Sequence, residues 1–206
     1  MSAKAETTNA QSAQNTQNTQ KIVKLGLILF TITAITGLIL GVVYEITAGP
    51  IALTQQRLKN EALSAALPEA DAFEAQPLGD GAPAIVTDVQ KASSNGAFAG
   101  YCVTVTPKGY AGPIEIVVGV TAEGKLRAIR ILSQGETPGL GAKAATDAFM
   151  GQYTNKEVES LTVVKSPPSS PEQIQAISGA TITSDAVTSG VNIALEYWKN
   201  NLRGGN

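Results

Sequence analysis

The sequence predicts an α+β domain that follows a single membrane-spanning helix. Three observations carry this prediction: an uncharged apolar run near the amino terminus, short runs rich in β-branched residues in the middle of the chain, and a helical pattern at its carboxyl end. The chain has 206 residues, of which 43% are hydrophobic and 16% charged. This composition is more apolar than a soluble domain of the same size requires, so a membrane segment is expected.

The apolar run predicts the membrane anchor. Residues 25–44 read LGLILFTITAITGLILGVVY, and no residue in this run carries a formal charge. At about 1.5 Å per residue, a helix of this length spans the roughly 30 Å hydrocarbon core, and we place the anchor at residues 21–47. The run is longer than the apolar core of a cleaved secretory signal, which favours a retained anchor. Lys21 and Lys24 precede the run, which favours a cytoplasmic amino terminus and an extracytoplasmic domain at residues 48–206.

A polar segment precedes the anchor. Residues 1–20 are rich in Gln, Asn, Thr, Ala and Ser and contain no large apolar side chain beyond the initiator Met. Such a segment buries too little apolar surface to offset the entropy lost on ordering. It is therefore predicted to be a disordered cytoplasmic tail.

One domain is predicted after the anchor, beginning with a helix and continuing with strands. Apolar residues at near-helical spacing over residues 50–67 predict a helix that continues from the membrane and ends at Pro68. Alternating or β-branched runs predict strands at residues 85–89, 101–106 and 114–120. The residues expected to share a face are Tyr101, Val103 and Val105 in the second strand and Ile114, Ile116, Val118 and Val120 in the third. The turn signals Asn95-Gly96 and Glu123-Gly124 predict antiparallel hairpins.

The pattern changes in the last third of the chain. In residues 126–132, apolar side chains occur at both odd and even positions. This pattern indicates either a bulge or burial on both sides of a strand. The following segments are predicted as a helix at 142–150, a strand at 161–165 and a Pro/Ser-rich loop at 166–172. A final helix is predicted from about Ser184 to Asn200. Its apolar face consists of Val187, Val191, Leu195 and Trp198.

Composition excludes several classes of chemistry. The chain has no histidine and one cysteine, so it cannot supply a histidine-ligated metal, a Ser-His-Asp or Cys-His triad, or an internal disulfide. Its formal net charge of -2 gives no electrostatic footprint for nucleic acid. The acidic residues are scattered without the spacing of metal ligands, so no metal site is predicted. No catalytic residue set is evident.

Three further side chains invite a redox role, but a packing role is predicted for each. Cys102 falls within a predicted strand, where a lone cysteine is typically a small buried hydrophobe rather than a redox thiol. Tyr197 and Trp198 lie on the final helix and are interpreted as packing in the core or beside a cofactor, not as electron relays.

Two short motifs are the strongest candidates for a functional site. Residues 178–184 read SGATITS immediately before the predicted final helix, and residues 136–141 read ETPGLG between a predicted strand and a predicted helix. Free backbone N–H groups at a helix start, beside Gly and Ala, allow a phosphate to approach closely. The alternative is that a Ser or Thr of the first motif only caps the helix, and that the second motif is only a turn.

The two motifs in this order, downstream of a single anchor, resemble the G subunit of the Rnf electron-transport complex. That family is related to the C subunit of the sodium-translocating NADH:quinone reductase and to other FMN-binding domains. The resemblance covers the chain from about Lys21 onward. It implies an extracytoplasmic FMN-binding domain with an antiparallel sheet and flanking helices, held by one helix in the cytoplasmic (inner) membrane.

The resemblance also implies a covalent cofactor. In the family, FMN is joined through its phosphate to the threonine that closes the SGAT tetrad, which corresponds to Thr181. The phosphodiester is made by a separate flavin transferase that uses FAD and releases AMP. Thr183 is an alternative acceptor, and Ser178 and Ser184 are weaker ones. Gly179 and Ala180 leave room around Thr181.

The second motif is implied to contact the flavin. The residues concerned are Glu136, Thr137, Leu140 and Gly141. The partners implied are the flavin transferase during maturation and the other integral-membrane, iron–sulfur and flavin subunits of the complex.

The function implied is that of an electron-carrier subunit without a complete active site of its own. The complex would couple electron transfer between ferredoxin and NAD to ion translocation. Two alternatives keep the flavin: a C-type subunit of the sodium-translocating NADH:quinone reductase, or a stand-alone extracytoplasmic reductase. A third alternative is a membrane-anchored binding or assembly module without flavin.

Overall fold

The computed structural model describes residues 2–79 and 81–203, with side chains described from residue 23 onward. The chain forms two compact units, and the boundary between them lies between Gln55 and Gln56. The first unit contains most of helix α1, which runs from Ser2 to Ala66. The side chains of residues 1–22 lie outside the described part of the chain, so the disordered tail at residues 1–20 stays a prediction.

Helix α1 has the length and composition of a membrane-spanning helix over Val23–Ala66. Large apolar side chains such as Phe30 and Leu38 are 72% and 70% exposed, so they are free to face lipid. The hydroxyls of several threonines donate to the carbonyl four residues earlier, which satisfies them within the helix, as a lipid environment requires. The expected long apolar helix is therefore confirmed, while the anchor limits at residues 21 and 47 stay predictions.

The second unit is built on a five-stranded antiparallel sheet in which strand order follows the sequence. The strands are β1 (Ala72–Gln76), β2 (Val86–Ser94), β3 (Ala97–Val105), β4 (Ile114–Thr121) and β5 (Leu126–Gln134). Asn95 and Gly96 join β2 to β3 with φ angles of 51° and 80°, the left-handed pair that a two-residue hairpin turn requires. The predicted strands and hairpins are confirmed, and β1 is an addition that the pattern did not predict.

The two faces of the sheet bury different side chains. Tyr101, Val103 and Val105 of β3 face the main core, together with the four predicted apolar residues of β4. Cys102 and Val117 face the other way, against Leu63, Ala66 and Leu67 at the end of α1. A Cβ on Gly119 would lie 2.1 Å from the Ala66 carbonyl oxygen, so the end of the helix packs directly on the strand.

Strand β5 resolves the ambiguity over residues 126–132. The pairing between β4 and β5 shifts register at Gly119/Val120 and again at Glu115/Ile116, which places two irregularities in the ladder. Leu126 and Ile129 belong to the main core, and Leu132 packs against the cluster on the opposite face. The strand is thus both irregular and buried on two sides.

The predicted helix at 142–150 is corrected to two short pieces. A 3-10 turn covers Gly141–Ala145, and helix α2 covers Asp147–Met150. They are separated by Thr146, whose φ and ψ of -85° and 149° are extended. The Thr146 hydroxyl donates to the Lys143 carbonyl oxygen at 2.7 Å, and such local bonds compete with helix continuation.

The remaining elements complete the core. Strands β6 (Thr162–Val164) and β7 (Gln173–Gln175) form a small parallel pair. Helix α3 covers Thr181–Tyr197 and ends in a π-helical turn at Trp198–Leu202. Its predicted apolar face is buried as expected. Its start is corrected from about Ser184 to Thr181, because Ser184 lies in the first turn and donates its hydroxyl back to the Ala180 carbonyl oxygen at 3.0 Å.

Candidate cofactor site

A cavity of about 480 Å³ lies where the two sequence motifs meet. This volume is within the range of small-molecule and cofactor sites, roughly 300 to 1,000 Å³. The lining residues are Tyr110, Glu136, Thr137, Leu140, Gly141, Gly179, Ala180, Thr181, Ile182 and Thr183. Of the predicted site residues, Ser178 and Ser184 are missing from this set: Ser178 is exposed and precedes the lining residue Gly179, and Ser184 is buried.

The first turn of α3 presents uncapped backbone N–H groups to this cavity. The residue before the helix is Ala180, which has no side-chain oxygen, and no side chain in the described part of the protein caps the helix. Within the described chain, the N–H groups of Thr181, Ile182 and Thr183 have no hydrogen-bond partner. The alternative that SGATITS serves as a side-chain cap is therefore wrong. Bare N–H groups and the positive end of the helix dipole favour an anion here.

The candidate hydroxyls of the motif differ in accessibility. Thr181 is half-buried on the cavity wall, and its hydroxyl has no partner among the described residues. Thr183 is 1% exposed and donates to the Glu136 Oε2 atom at 2.5 Å. Ser184 is fully buried and accepts from the Ile177 N–H at 3.0 Å. Thr181 is thus the open, unengaged hydroxyl on the cavity wall.

An apolar rim surrounds the cavity. Tyr110, Leu140 and Ile182 are 70%, 45% and 56% exposed, although large apolar side chains usually pack inward. Exposed apolar side chains gathered beside one cavity mark a binding surface. Sequence reasoning missed Tyr110 and Ile182. Tyr110 sits at the tip of the β3–β4 connection, and its signal was an aromatic residue flanked by Gly109 and Gly112.

Glu136 lies beneath the rim as a buried carboxylate. It is 5% exposed, and its Oε1 atom accepts the Ala111 N–H at 2.9 Å. Burial by itself raises the pKa of Glu136, but hydrogen bonds from the Thr183 hydroxyl and from backbone groups at Ala111, Tyr110 and Gly112 hold the pKa below its ordinary value. The carboxyl group is therefore ionised at neutral pH without an ion-pair partner among the described side chains.

The residues of the cavity fit FMN. Uncapped N–H groups at a helix start suit its phosphate, and an apolar rim with an exposed aromatic ring suits its flat ring system. Gly179, whose φ is 76°, adopts the left-handed conformation that a glycine accepts without strain, and this leads the chain into the helix start.

Comparison with known proteins agrees with this geometry. Residues 109–196 match the family model described as the FMN-binding domain. The chain is 40% identical over 190 residues to the G subunit of the Na(+)-translocating ferredoxin:NAD(+) oxidoreductase complex of Acetobacterium woodii, covering 86% of this chain and 91% of that protein. The chain belongs to the family of G subunits of ion-translocating oxidoreductase complexes. The resemblance inferred from the sequence is confirmed.

Another member of this G-subunit family and one solved structure extend the comparison. The proton-translocating ferredoxin:NAD(+) oxidoreductase complex of Clostridium ljungdahlii has a G subunit that is 41% identical, with 81% of this chain and 86% of that protein covered. The crystal structure of the C subunit of Na(+)-translocating NADH-quinone reductase from Parabacteroides distasonis is 27% identical, with a TM-score of 0.50. That match covers 58% of this chain and 64% of the solved chain, less than two thirds of its length, and it confirms the predicted fold class.

The three residues considered for a redox role, Cys102, Tyr197 and Trp198, are not among the residues that line the cavity. Cys102 is fully buried, and burial, with a smaller contribution from the charge of Asp88, raises the pKa of its thiol to about 12. Tyr197 and Trp198 belong to the main core at the far end of α3 from Thr181. The Tyr197 hydroxyl oxygen accepts the Gly79 N–H at 3.2 Å. The structure places all three residues in packing positions.

Proposed function

We propose that this chain is the electron-carrier subunit of a membrane complex that couples electron transfer between ferredoxin and NAD to ion translocation, and that it carries FMN joined to Thr181. Membership of the G-subunit family supports the complex, and the FMN-binding domain supports the cofactor. A flavin can hold one or two electrons, whereas the protein supplies its placement and its electrostatic surroundings.

The observation that carries the attachment site is the contrast between the hydroxyls of the SGATITS motif. Thr181 is half-buried on the cavity wall with no partner in the described structure, next to three uncapped N–H groups. Thr183 and Ser184 are buried and engaged, and Ser178 lies outside the cavity. A nucleophile must be reachable by its reaction partner, so Thr181 is the acceptor best supported.

The attachment reaction balances with FAD as the donor. The Thr181 oxygen forms a bond to the phosphorus of the FMN half, the pyrophosphate bond of FAD breaks, and AMP leaves. The hydroxyl proton passes to a base. The Glu136 carboxylate lines the cavity, but its two oxygens already accept the Ala111 N–H and the Thr183 hydroxyl, so we assign the base to a separate flavin transferase.

The orientation proposed is a cytoplasmic amino terminus and a carboxyl-terminal domain on the extracytoplasmic (periplasmic) side of the cytoplasmic membrane. The placement of Lys21 and Lys24 before the apolar run supports it. A phosphodiester tether would keep the cofactor attached on that side of the membrane.

Intact mass spectrometry tests the cofactor assignment. Full-length protein is produced with a flavin transferase, and we expect its mass to increase by one FMN minus one water. Thr181→Val should abolish this increase and the flavin fluorescence of the denatured band, and Thr181→Ser should restore part of both. An unmodified wild-type chain isolated from its native host would contradict the proposal.

The matched control is Thr183→Val, which removes a hydroxyl two residues away in the same turn. We expect it to carry the flavin once the reaction is complete, because the Thr181 hydroxyl is still present. Only the rate of incorporation should fall, because the bond from Thr183 to Glu136 is lost. Loss of flavin from Thr183→Val with retention in Thr181→Val would move the acceptor. Co-purification with several polytopic membrane proteins would separate a complex subunit from a stand-alone reductase.

A further inference from the structure

Glu136 lies shortly after β5, and its side chain connects that segment to the β3–β4 loop and to the start of α3. Its backbone N–H donates to the Gln134 Oε1 atom at 2.6 Å, which fixes the chain as it leaves the strand. Its side chain then turns inward, and two glycines make the space for it. A Cβ on Gly109 would lie 2.5 Å from Oε1, and a Cβ on Gly141 would lie 2.6 Å from Oε2. The carboxylate therefore occupies a space that other side chains would close.

One carboxylate oxygen holds the loop that carries Tyr110. Oε1 accepts the Ala111 N–H at 2.9 Å. The loop closes on itself through the Gly109 N–H, which donates to the Gly112 carbonyl oxygen at 2.7 Å. Without the carboxylate, the part-buried Ala111 N–H would lose its acceptor, and a donor shielded from water without an acceptor destabilises a fold. The position of the exposed Tyr110 ring thus depends on Glu136.

The other oxygen holds the first turn of α3. Oε2 accepts the Thr183 hydroxyl at 2.5 Å, and Thr183 is almost completely buried. Positions two residues apart on an α-helix point about 200° away from each other. When Thr183 is held inward against the carboxylate, Thr181 is turned away from it, toward the open cavity. The same bond keeps the Thr183 hydroxyl engaged.

We infer that Glu136 is a positioning residue whose carboxylate fixes both the 109–112 loop and the rotation of the first turn of α3, and thereby leaves Thr181 as the open hydroxyl of the cavity. This inference deepens the proposed function and rests on Thr181 being the acceptor. It differs from a direct flavin contact, because both oxygens of Glu136 are already bonded to the protein.

The test compares Glu136→Gln with a matched variant in full-length protein in detergent. Glu136→Gln keeps the size of the side chain but removes the charge and one acceptor. Tyr153→Phe is the control, because the buried Tyr153 hydroxyl bonds to Thr188 of the same helix at 2.8 Å and lies outside the cavity. Both variants remove a buried hydrogen bond to α3, so a general loss of stability affects both.

Two readouts are measured. The first is the initial rate of FMN incorporation at limiting transferase, which should fall about tenfold to a hundredfold in Glu136→Gln and stay within about twofold in Tyr153→Phe, since small misplacements of a reacting group have effects of this size. The second is hydrogen exchange of the 109–112 amides in protein without flavin. These amides should exchange faster in Glu136→Gln and at the wild-type rate in Tyr153→Phe.

The outcomes separate the inference from the proposed function. Wild-type incorporation and unchanged 109–112 exchange in Glu136→Gln would overturn the inference, as would equal slowing in Tyr153→Phe. A wild-type protein that takes up no FMN would overturn the proposed function instead, and the exchange data would then still decide whether Glu136 holds the loop.

Discussion

Thr181 and Thr183 lie two residues apart and have opposite surroundings. Thr181 lines the cavity with an unengaged hydroxyl, whereas Thr183 is buried and bonded to Glu136. A hydroxyl that is buried and already donating is a poor acceptor for a phosphoryl group, because reaction would break its bond and require the core to open. The difference arises from one charged side chain that is distant in sequence.

Glu136 should make stability depend on pH. Its pKa in the folded chain lies below the ordinary value, so it binds its proton less readily when folded than when unfolded. The stability that ionised Glu136 contributes to the folded chain is fully present above the pKa of the unfolded chain. It is lost as pH falls through the pKa of the folded chain. The groups that hydrogen-bond to its carboxylate are the Thr183 hydroxyl and the Ala111 N–H.

We therefore expect Glu136→Gln to lower the free energy of unfolding by about 1 to 3 kcal/mol at pH 7, the usual worth of hydrogen bonds to a charged group. The difference in unfolding free energy from wild type should narrow as pH falls below the ordinary glutamate pKa of about 4.3, because the unfolded chain then binds a proton that the folded carboxylate holds less readily. Urea unfolding of both proteins between pH 7 and pH 3 measures this. A gap that stays constant over that range would contradict an ionised Glu136.

At the scale of elements, three segments meet at one buried point. The β3–β4 loop, the turn after β5 and the start of α3 contribute Ala111, Glu136 and Thr183. The meeting is close because two of the segments place glycine beside the carboxylate. Such a site has no spare volume, so added atoms must push the segments apart.

Gly141→Ala tests this close approach. Its Cβ would lie 2.6 Å from the Glu136 Oε2 atom and 2.7 Å from the Thr183 Oγ1 atom. The backbone of Gly141 is not in the left-handed region, so the cost comes from packing alone. We expect the free energy of unfolding to fall by about 1 to 3 kcal/mol, as for other overpacked sites.

The control for this variant is Gly135→Ala, in the same segment. An added Cβ there meets no atom of the described residues within 4 Å, so its effect on unfolding should stay within about 0.5 kcal/mol. Urea midpoints of the two variants decide the comparison. Equal midpoints would show that the segment accommodates the added Cβ at position 141 without losing stability, and would contradict the prediction.

The elements also show where local patterns mislead. Residues 142–150 have helical character, yet the Thr146 hydroxyl bonds to the Lys143 carbonyl oxygen and the helix breaks there. The sequence predicts that α3 begins at about Ser184, three residues after its actual start at Thr181, and hydroxyl residues do favour positions before a helix. Here Ser184 lies inside the helix, and its hydroxyl reaches back to the Ala180 carbonyl oxygen. In both cases the position of one hydroxyl decides the boundary.

At the scale of the whole molecule, the chain combines an apolar helix with a domain that buries both faces of one sheet. Large apolar side chains of α1 are exposed along the part that fits a membrane, whereas Leu63 and Leu67 near its end are buried against the sheet. One part of this continuous apolar sequence thus suits a lipid environment, and the part near the end of the helix packs in a protein core.

The proposed orientation predicts a protease pattern. Protease added to right-side-out spheroplasts should cleave the chain after residue 50, because that part is placed outside. An immunoblot against an amino-terminal tag should then show a short protected fragment, and a cytoplasmic marker protein should stay intact as the control. A full-length chain that survives until the spheroplasts are lysed would reverse the orientation.

The sequence by itself determined the apolar anchor helix, the three central strands of alternating or β-branched pattern, the apolar face of α3 and the two motifs that line the cavity. These features depend on neighbours a few residues apart, and periodicity and turn chemistry report such neighbours directly. The tertiary structure alone decided that Glu136 is buried, that Tyr110 stands at the rim, that β1 pairs at the edge of the sheet and that Thr181 rather than Thr183 faces open space. Each of these depends on contacts between distant segments, such as Glu136 with Thr183 and with Ala111. Residues that are so far apart in sequence produce no periodic pattern in it when they bond, because only the folded backbone brings them together.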